Sequence, residues 1–371
     1  MKLVFQNGDT YSGYSFGSDK NVAGEVVFNT GMTGYTEALT DPSYRGQILV
    51  TTYPLQGNYG VPDGPFESER IQVQGLIVSH YSENPSHFKH FHSLGEWLKS
   101  QGVPAMSGVD TRSLTRYLRE FGTLPGTLIV NEADDTIATV NISQVLDLVG
   151  QMPVTRYGES DVKILLIDTG GKENIIRCLV TRGVSVIRVP WHNRWEEYLH
   201  EVDGVFLANG PGDPEDTKGL IERVGVMLNE VSLPIFGICF GNQLLALASG
   251  ARTTRMKYGH RSVNQPVQDL RTGKCYVTSQ NHGYVVLNDS LSLNWEPWFI
   301  NLNDGTNEGI RHKVKPICSV QFHPEASPGP NDTAFLFDDF IKTVLLEKTR
   351  KRPSVLVDKI ERKVSNYAER C

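Results

Sequence analysis

The sequence has little of what marks secreted or membrane-spanning proteins. Its five cysteines stand far apart in 371 residues and form no CxxC pair, so neither a zinc ribbon nor a disulfide scaffold is expected. No run of about eighteen apolar residues could span a bilayer. The N-terminus turns polar after Leu3, Val4 and Phe5, too early for a signal-peptide core. We therefore expect a soluble protein of a reducing compartment, most simply the cytoplasm.

Basic charge and phosphate-binding loops are also missing. Lys and Arg number 36 against 42 Asp and Glu, a formal net charge of -6, which gives no electrostatic reason to expect nucleic acid or an anionic membrane as a partner. Two Gly-Lys pairs, Gly171-Lys172 and Gly273-Lys274, lack the upstream glycine of a phosphate loop and are followed by Glu173 and Cys275 instead of Ser or Thr. No cofactor and no metal are therefore expected in this chain.

The composition is typical of a globular protein, and the chain is long enough for two domains. Hydrophobic residues make up 39% of the chain, and the length allows two domains at roughly 150 residues each. Residues 1–150 carry short strand-like runs separated by Gly, Pro, Asn and Asp, at Leu3–Phe5, Gly24–Phe28, Ile48–Thr52 and Ile71–Ile77. One helix is predicted from Asp110 to Phe121, with Asp110 or Thr111 as N-cap and Leu114, Tyr117 and Leu118 on one face.

The second half alternates strand and helix. Residues 151–161, with Pro153 and Gly158, are interpreted as a linker. Residues 162–347 then contain predicted strands and helices, at 163–167, 174–181, 184–189, 204–208, 234–238, 243–248 and 332–346, with short strands between 252 and 321. This order predicts an α/β fold with a mostly parallel, open sheet flanked by helices. Residues 348–371 are interpreted as a charged tail or interdomain linker.

The sharpest local signal is Gly237-Ile238-Cys239-Phe240-Gly241, between a predicted strand and a predicted helix. A Gly-x-nucleophile-x-Gly turn holds its central side chain exposed in a strained bend, where the backbone passes too close for larger neighbours. The N–H groups that open the following helix favour a thiolate at Cys239. The alternative is a buried structural cysteine packed between two glycines.

A second signal is His323-Pro324-Glu325, which follows a predicted strand. Pro324 favours extended geometry at His323, and in an extended chain residues i and i+2 point to the same side. Glu325 can then orient the imidazole of His323, which with Cys239 would complete a nucleophile–base–orienter triad. The alternative is a His-Pro turn with a surface glutamate.

Two loops complete the candidate site. Gly210 and Gly212 follow a strand at the carboxyl edge of the predicted sheet, where glycines let backbone N–H groups approach an oxyanion. The segment 279–284, with Asn281, Gly283 and Tyr284, could hold the ends of a small amino acid. His282, in the same segment, is a rival base, but it lacks a carboxylate two residues on and is interpreted as structural.

Together these signals resemble class I (triad-type) glutamine amidotransferases, over 163–346 and most specifically in GICFGNQLLALASGA (237–251) and QFHPEASPGP (321–330). The segment from Gly24 to Gly60 resembles the small-subunit domain of glutamine-dependent carbamoyl-phosphate synthetase. The sequence of residues 276–325 is similar to the eukaryotic form of this synthetase that serves the pyrimidine pathway. RPSVLVDKIERK (352–363) would then begin an interdomain linker.

The resemblance implies roles for individual residues. It makes Cys239 the nucleophile, His323 the acid/base and Glu325 its orienter. The residues that it implies for glutamine binding are Ser43, Gly210, Gly212, Phe240, Gln243, Asn281, Gly283 and Tyr284. The family often has Leu where Phe240 stands and Phe where Tyr284 stands; Phe240 is expected to contribute mainly its backbone N–H.

The implied activity is hydrolysis of L-glutamine, with ammonia passing to a synthetase large subunit or fused synthetase domains. ATP and Mg²⁺ would bind on that partner, which makes carbamoyl phosphate from bicarbonate. Two alternatives stay open, a free-standing γ-glutamyl hydrolase and a catalytically idle regulatory partner. A metal site at His87, His90 and His92 is a further alternative; an exposed aromatic-rich helix start is the preferred interpretation of that segment.

Overall fold

The computed structural model describes residues 1–132, 136–141, 144–150 and 152–351. Two separate large sheets organise these residues, one before and one after residue 150. None of the helices among the described residues is long and apolar enough to cross a membrane. The interpreted linker segment 352–363 and the rest of the chain to Cys371 lie outside the described residues.

The first unit is a mixed sheet with short helices. Its strands are β1 Lys2–Phe5, β2 Thr10–Ser12, β3 Tyr14–Ser15, β4 Asn21–Asn29, β5 Gln47–Thr51, β6 Leu55–Gln56, β7 Gly75–Ile77, β8 His80–Tyr81, β9 Ala105–Ser107, β10 Leu124–Ile129 and β11 Ile137–Ala138. Its helices are α1 Tyr35–Thr40, α2 Leu94–Ser100, α3 Thr111–Phe121 and α4 Val145–Val149. The sheet runs β2-β1-β10-β4-β5-β7-β9-β3, with β11 beside β4, while β6 pairs with β8 apart from it.

Helix α3 confirms the sequence prediction closely. It begins at Thr111, and the Asp110 carboxylate accepts a hydrogen bond of 2.8 Å from the Ser113 N–H, which makes Asp110 the N-cap. Leu114 and Leu118 are fully buried against the sheet, on the face that their spacing predicted. The helix ends where Gly122 takes a positive φ of 91°.

The second unit is a ten-stranded sheet covered by helices on both faces. Its strands are β12 Thr155–Tyr157, β13 Lys163–Asp168, β14 Ser185–Pro190, β15 Gly204–Leu207, β16 Ile235–Ile238, β17 Thr253–Asp269, β18 Cys275–Val286, β19 Trp295–Asn301, β20 Asn307–His312 and β21 Ile317–Val320. Its helices are α5 Glu173–Thr181, α6 Lys218–Glu230, α7 Phe240–Ala248 and α8 Phe335–Lys351. The α/β fold class is confirmed.

Alternation along the central strands fills two cores. Leu165 and Ile167 of β13 point to the face covered by α6 and α7, whereas Ile164 and Leu166 point to the face covered by α5 and α8. Both faces are apolar because helices cover both, as a parallel sheet requires. The carboxyl ends of β13, β15, β16 and β21 consequently lie at one edge.

The parallel arrangement covers a smaller part of the sheet than expected. In the order β12-β14-β13-β15-β16-β21-β20-β19-β17-β18, the five strands from β14 to β21 are mutually parallel. The other pairings are antiparallel. The strands expected between 252 and 321 thus extend the same sheet, and two of them are long and not short as predicted: β17 has 17 residues and β18 has 12. Antiparallel strands can follow one another through hairpins, without crossover helices.

The ends of the second unit also differ from the sequence interpretation. The segment 151–161, interpreted as a linker, contains β12, which pairs antiparallel with β14 as an edge strand. Leu146 of α4 already packs into the second unit's core. Helix α8 continues to Lys351, past the predicted end of the domain at 347, and Lys348 Nζ bonds the Asp203 carboxylate at 2.8 Å.

Candidate active site

Cys239 occupies a strained turn between β16 and α7. Its φ of 53° and ψ of -99° lie outside the regions that side-chain-bearing residues favour, at a cost of roughly 1–3 kcal/mol. Its N–H donates to the Val320 carbonyl at 2.8 Å, which ties the turn to the neighbouring strand β21. A Cβ at Gly237 would lie 2.8 Å from the Gly241 carbonyl carbon. The turn and its need for small neighbours therefore agree with the sequence pattern, but the Cys239 side chain is buried and not exposed as that pattern predicted.

The imidazole of His323 and the carboxylate of Glu325 form a buried pair behind this turn. His323 Nδ1 donates to Glu325 Oε1 at 2.6 Å, as the i, i+2 spacing predicted. Within the described part of the chain, His323 Nε2 is buried and has no assigned hydrogen-bond partner. Burial alone would lower the pKa of His323, but Glu325 and Cys239 outweigh it and raise the pKa to about 10. The structure thus brings the three predicted residues together.

Lys172 belongs to this cluster, although the sequence predicted no role for it and offered only an incomplete phosphate loop at this position. Its Nζ lies 3.0 Å from Glu325 Oε1, donates to the Ala326 carbonyl and is almost fully buried. Burial alone would lower the pKa of Lys172, but Glu325, Asp41 and Glu67 raise it. The site holds a lysine with a raised pKa against its carboxylate.

One sequence signal could have located Lys172. It follows β13 at the carboxyl edge of the sheet, where ligands bind in open α/β folds. A lysine that follows the buried strand β13 so closely has to be exposed or paired with an acid. The pairing acid is 153 positions away in the chain, so only the folded structure identifies it as Glu325.

Acid titration gives a test of this pairing. Burial would raise the pKa of Glu325, but Lys172 and His323 lower it from 4.5 to about 2. Because the folded-state pKa is depressed, the carboxylate contributes stability above about 4.5 that is lost as the pH falls toward 2. We expect the melting-temperature difference between wild type and Glu325→Gln to shrink as the pH falls through this range. A difference that stays constant down to the acid limit would contradict the pairing.

The predicted binding residues surround one cavity of about 120 Å³ that reaches Cys239. Its lining includes seven of the eight, namely Ser43, Gly210, Gly212, Gln243, Asn281, Gly283 and Tyr284. The eighth, Phe240, turns its side chain into the core. Phe240 is the first residue of α7, so its backbone N–H has no acceptor within that helix.

The first unit contributes to the walls of this cavity. Ser43 Oγ accepts a hydrogen bond of 2.9 Å from Asn209 Nδ2. The Asp41 carboxylate accepts one of 3.0 Å from Asn281 Nδ2 and one of 2.9 Å from the Ser43 N–H. Asp41 and Asn209 were not predicted. The site therefore lies where the two units meet.

His282 is held by its neighbours, in line with the structural role expected of it. Nδ1 lies 2.9 Å from the Tyr284 carbonyl and Nε2 lies 3.1 Å from Gln280 Oε1. Burial and the nearby His260 lower the pKa of His282 far below its ordinary value, so it is neutral. His260 contacts Glu308 at 3.2 Å and Asp304 at 2.9 Å.

The histidines at 87, 90 and 92 are exposed as expected, but they lie in a loop and not at the start of a helix, since α2 begins only at Leu94. Ser93 caps that helix in a reciprocal arrangement with Glu96. Among the described residues, one group of three side chains could hold a metal ion. It comprises His260, His282 and Glu308, whose ligand atoms all lie within 4.8 Å of one another. The loop histidines do not belong to it.

Cys239 thus lies in a strained strand-to-helix turn at the end of β16, and the His323–Glu325 pair follows the adjacent parallel strand β21. Residues 165–343 match the model "Glutamine amidotransferase class-I". Residues 3–128 match "Carbamoyl-phosphate synthase small chain, CPSase domain".

Whole-chain relatives agree with both matches. The Saccharomyces cerevisiae carbamoyl phosphate synthase arginine-specific small chain is 48% identical over 363 residues, covering 92% of this chain and 88% of that protein. The multifunctional protein ura1 of Schizosaccharomyces pombe is 44% identical over 387 residues, covering 93% of this chain but only 17% of that protein. The chain belongs to the carbamoyl-phosphate synthase small-chain family.

A solved glutamine amidotransferase from Thermotoga maritima is also similar. It is 20% identical, with a TM-score of 0.38 over 55% of this chain and 92% of that chain. The family assignment rests on the sequence relatives.

Proposed function

We propose that this chain is the glutaminase component of a carbamoyl-phosphate synthase. It hydrolyses L-glutamine and delivers the ammonia to a synthetase partner. The observation that carries the proposal is the buried Cys239, His323 and Glu325 cluster at a cavity lined by both units. Family membership supports it independently.

The chemistry is acyl transfer through a thioester. The Cys239 thiolate attacks the side-chain amide carbon of glutamine, and the N–H groups of Phe240 and Gly212 stabilise the oxyanion. His323, held by Glu325, protonates the departing ammonia and leaves a γ-glutamyl thioester on Cys239. His323 then takes a proton from water, which attacks the thioester and releases glutamate. One glutamine and one water thus give one glutamate and one ammonia.

The proposed partner makes carbamoyl phosphate from ammonia, bicarbonate and ATP. One relative is named a small chain and another a multifunctional protein, so the partner is either a separate large subunit or a fused domain. ATP and Mg²⁺ would bind there. The product would serve the pyrimidine pathway, as the sequence resemblance favours, or the arginine pathway, as the name of the small chain suggests. We propose a cytoplasmic location.

Glutamate release from glutamine, measured with and without the synthetase partner, tests the coupling. We expect low activity for the chain alone and a strong rise when the synthetase partner docks and completes the site. Full activity without the partner would support a free-standing hydrolase instead. If the chain releases no glutamate in either condition, the result would favour the alternative that it is a catalytically idle regulatory partner.

A further inference from the structure

Glu67 is a fully buried carboxylate of the first unit that lies against the second. Its Oε1 accepts hydrogen bonds of 2.5 Å from Ser327 Oγ and from Arg177 Nη2. Its Oε2 accepts one of 3.0 Å from the Asn174 N–H. A buried carboxylate costs several kcal/mol to desolvate unless it is paired and hydrogen-bonded, and these three contacts supply that compensation.

The partners of Glu67 hold the segment that carries the triad carboxylate. Asn174 Nδ2 donates to the Glu325 carbonyl at 2.5 Å, and Lys172 Nζ donates to the Ala326 carbonyl. Ser327, the residue that Glu67 contacts directly, stands two positions after Glu325. Glu67 is thus connected to both ends of the short segment 325–327, once through Asn174 and once through Ser327.

That segment needs outside support because its backbone is strained. Ala326 and Ser327 have φ values of 55° and 51°, in the left-handed region that favours glycine. Each costs roughly 1–2 kcal/mol relative to an ordinary conformation. Such conformations persist only where the surroundings fix them. The fixing contacts come from Lys172 and Asn174 of the second unit and from Glu67 of the first.

The charges around Lys172 connect the same residues. Lys172 interacts with Glu325 of the triad and with two carboxylates of the first unit, Asp41 and Glu67. Burial raises the pKa of Glu67, and Lys172, Ser327 and Arg177 oppose that rise. The first unit therefore supplies both a hydrogen-bonding anchor and negative charge beside the Lys172–Glu325 pair.

We infer that Glu67 is a positioning residue: the first unit uses it to hold the segment 325–327, and with it Glu325 and His323, in the geometry that glutamine hydrolysis requires. This inference rests on the proposed function. It makes the first unit an integral part of the glutaminase site, because a carboxylate that never touches glutamine fixes the orientation of the triad.

Steady-state glutamine hydrolysis by Glu67→Gln tests the inference. The glutamine side chain introduced at position 67 has about the same volume as glutamate. It offers one acceptor oxygen to the three donors of Asn174, Arg177 and Ser327. We expect kcat to fall by about 10- to 100-fold, since small misplacements of catalytic groups have effects of that size. KM for glutamine should stay within about threefold, because Glu67 does not line the cavity. The exposed neighbour Glu69, changed to Gln, is the matched control.

A second variant and a second readout keep the test decisive. Ser327→Ala removes one hydrogen bond to Glu67 and leaves the Arg177 pair, so it should fold and lower kcat by a smaller factor. Alkylation of Cys239 by iodoacetamide, located by peptide mass spectrometry, should slow in both variants. The exposed Cys275 serves as internal reference.

The outcomes separate this inference from the proposed function. If Glu67→Gln and Ser327→Ala are folded and match Glu69→Gln in kcat and in Cys239 alkylation, Glu67 does not position the triad. If the wild type releases no glutamate, the proposed function fails, and the alkylation rates alone decide the role of Glu67.

Discussion

Replacing Cys239 by serine is expected to lower glutamine hydrolysis by more than about a thousandfold, the scale seen when a nucleophile is removed from a triad. A serine hydroxyl holds its proton far more tightly than a thiol, so His323 would face a group that is almost never ionised. The fold should persist, because the smaller side chain fits the same buried turn and can donate to the Asn281 carbonyl that now faces Sγ at 3.8 Å. We expect the melting temperature to change by no more than about 4 °C.

The measurement is glutamate release at saturating glutamine, for the chain with its synthetase partner. Cys275→Ser is the matched control, since that cysteine is exposed and lies on β18 of the same unit. With ammonia supplied directly, carbamoyl phosphate synthesis by the Cys239→Ser complex should equal that of wild type. Glutamine hydrolysis retained by the serine variant would mean that Cys239 is the structural cysteine of the alternative interpretation.

Gly241→Ala is expected to cost about 3 kcal/mol of unfolding free energy, because it inserts a methyl group where a helix touches a strand. A Cβ at Gly241 would lie 2.4 Å from the Leu207 carbonyl oxygen and 2.8 Å from the Leu207 Cβ. Neither contact can be relieved by a side-chain rotation, since the carbonyl oxygen is backbone and the position of a Cβ is fixed by its backbone. Helix α7 would have to move away from β15, and the turn that holds Cys239 would move with it.

Urea unfolding measures this cost. Gly219→Ala is the matched control: it lies exposed in α6, and its Cβ would have no neighbour within 4 Å. There the better helix propensity of alanine should leave stability unchanged or raise it by up to about 1 kcal/mol. Equal midpoints for the two variants would show that α7 can shift away from β15 without loss.

Local sequence patterns predicted those parts of the molecule that depend on residues close together in the chain. The i, i+3, i+4 spacing in 111–121 gave α3 and its buried face, and Asp110 capped it as its position suggested. The i, i+2 spacing of His323 and Glu325 gave their hydrogen bond. The edges of elements were less predictable. Helix α8 continues to Lys351, and its Lys348 pairs with Asp203, which is about 145 positions away in the chain.

By itself, the sequence determined the strained turn at Cys239, the His-Glu pair, and the strands and helices of an α/β fold, because each depends on residues within a few positions of one another. Only the tertiary structure decided that Lys172 pairs with Glu325 and that Asp41 and Glu67 reach the site from the first unit. Buried charges need compensating partners wherever the fold can supply them. Here those partners lie far apart in the chain, and no local pattern specifies the contact between two units.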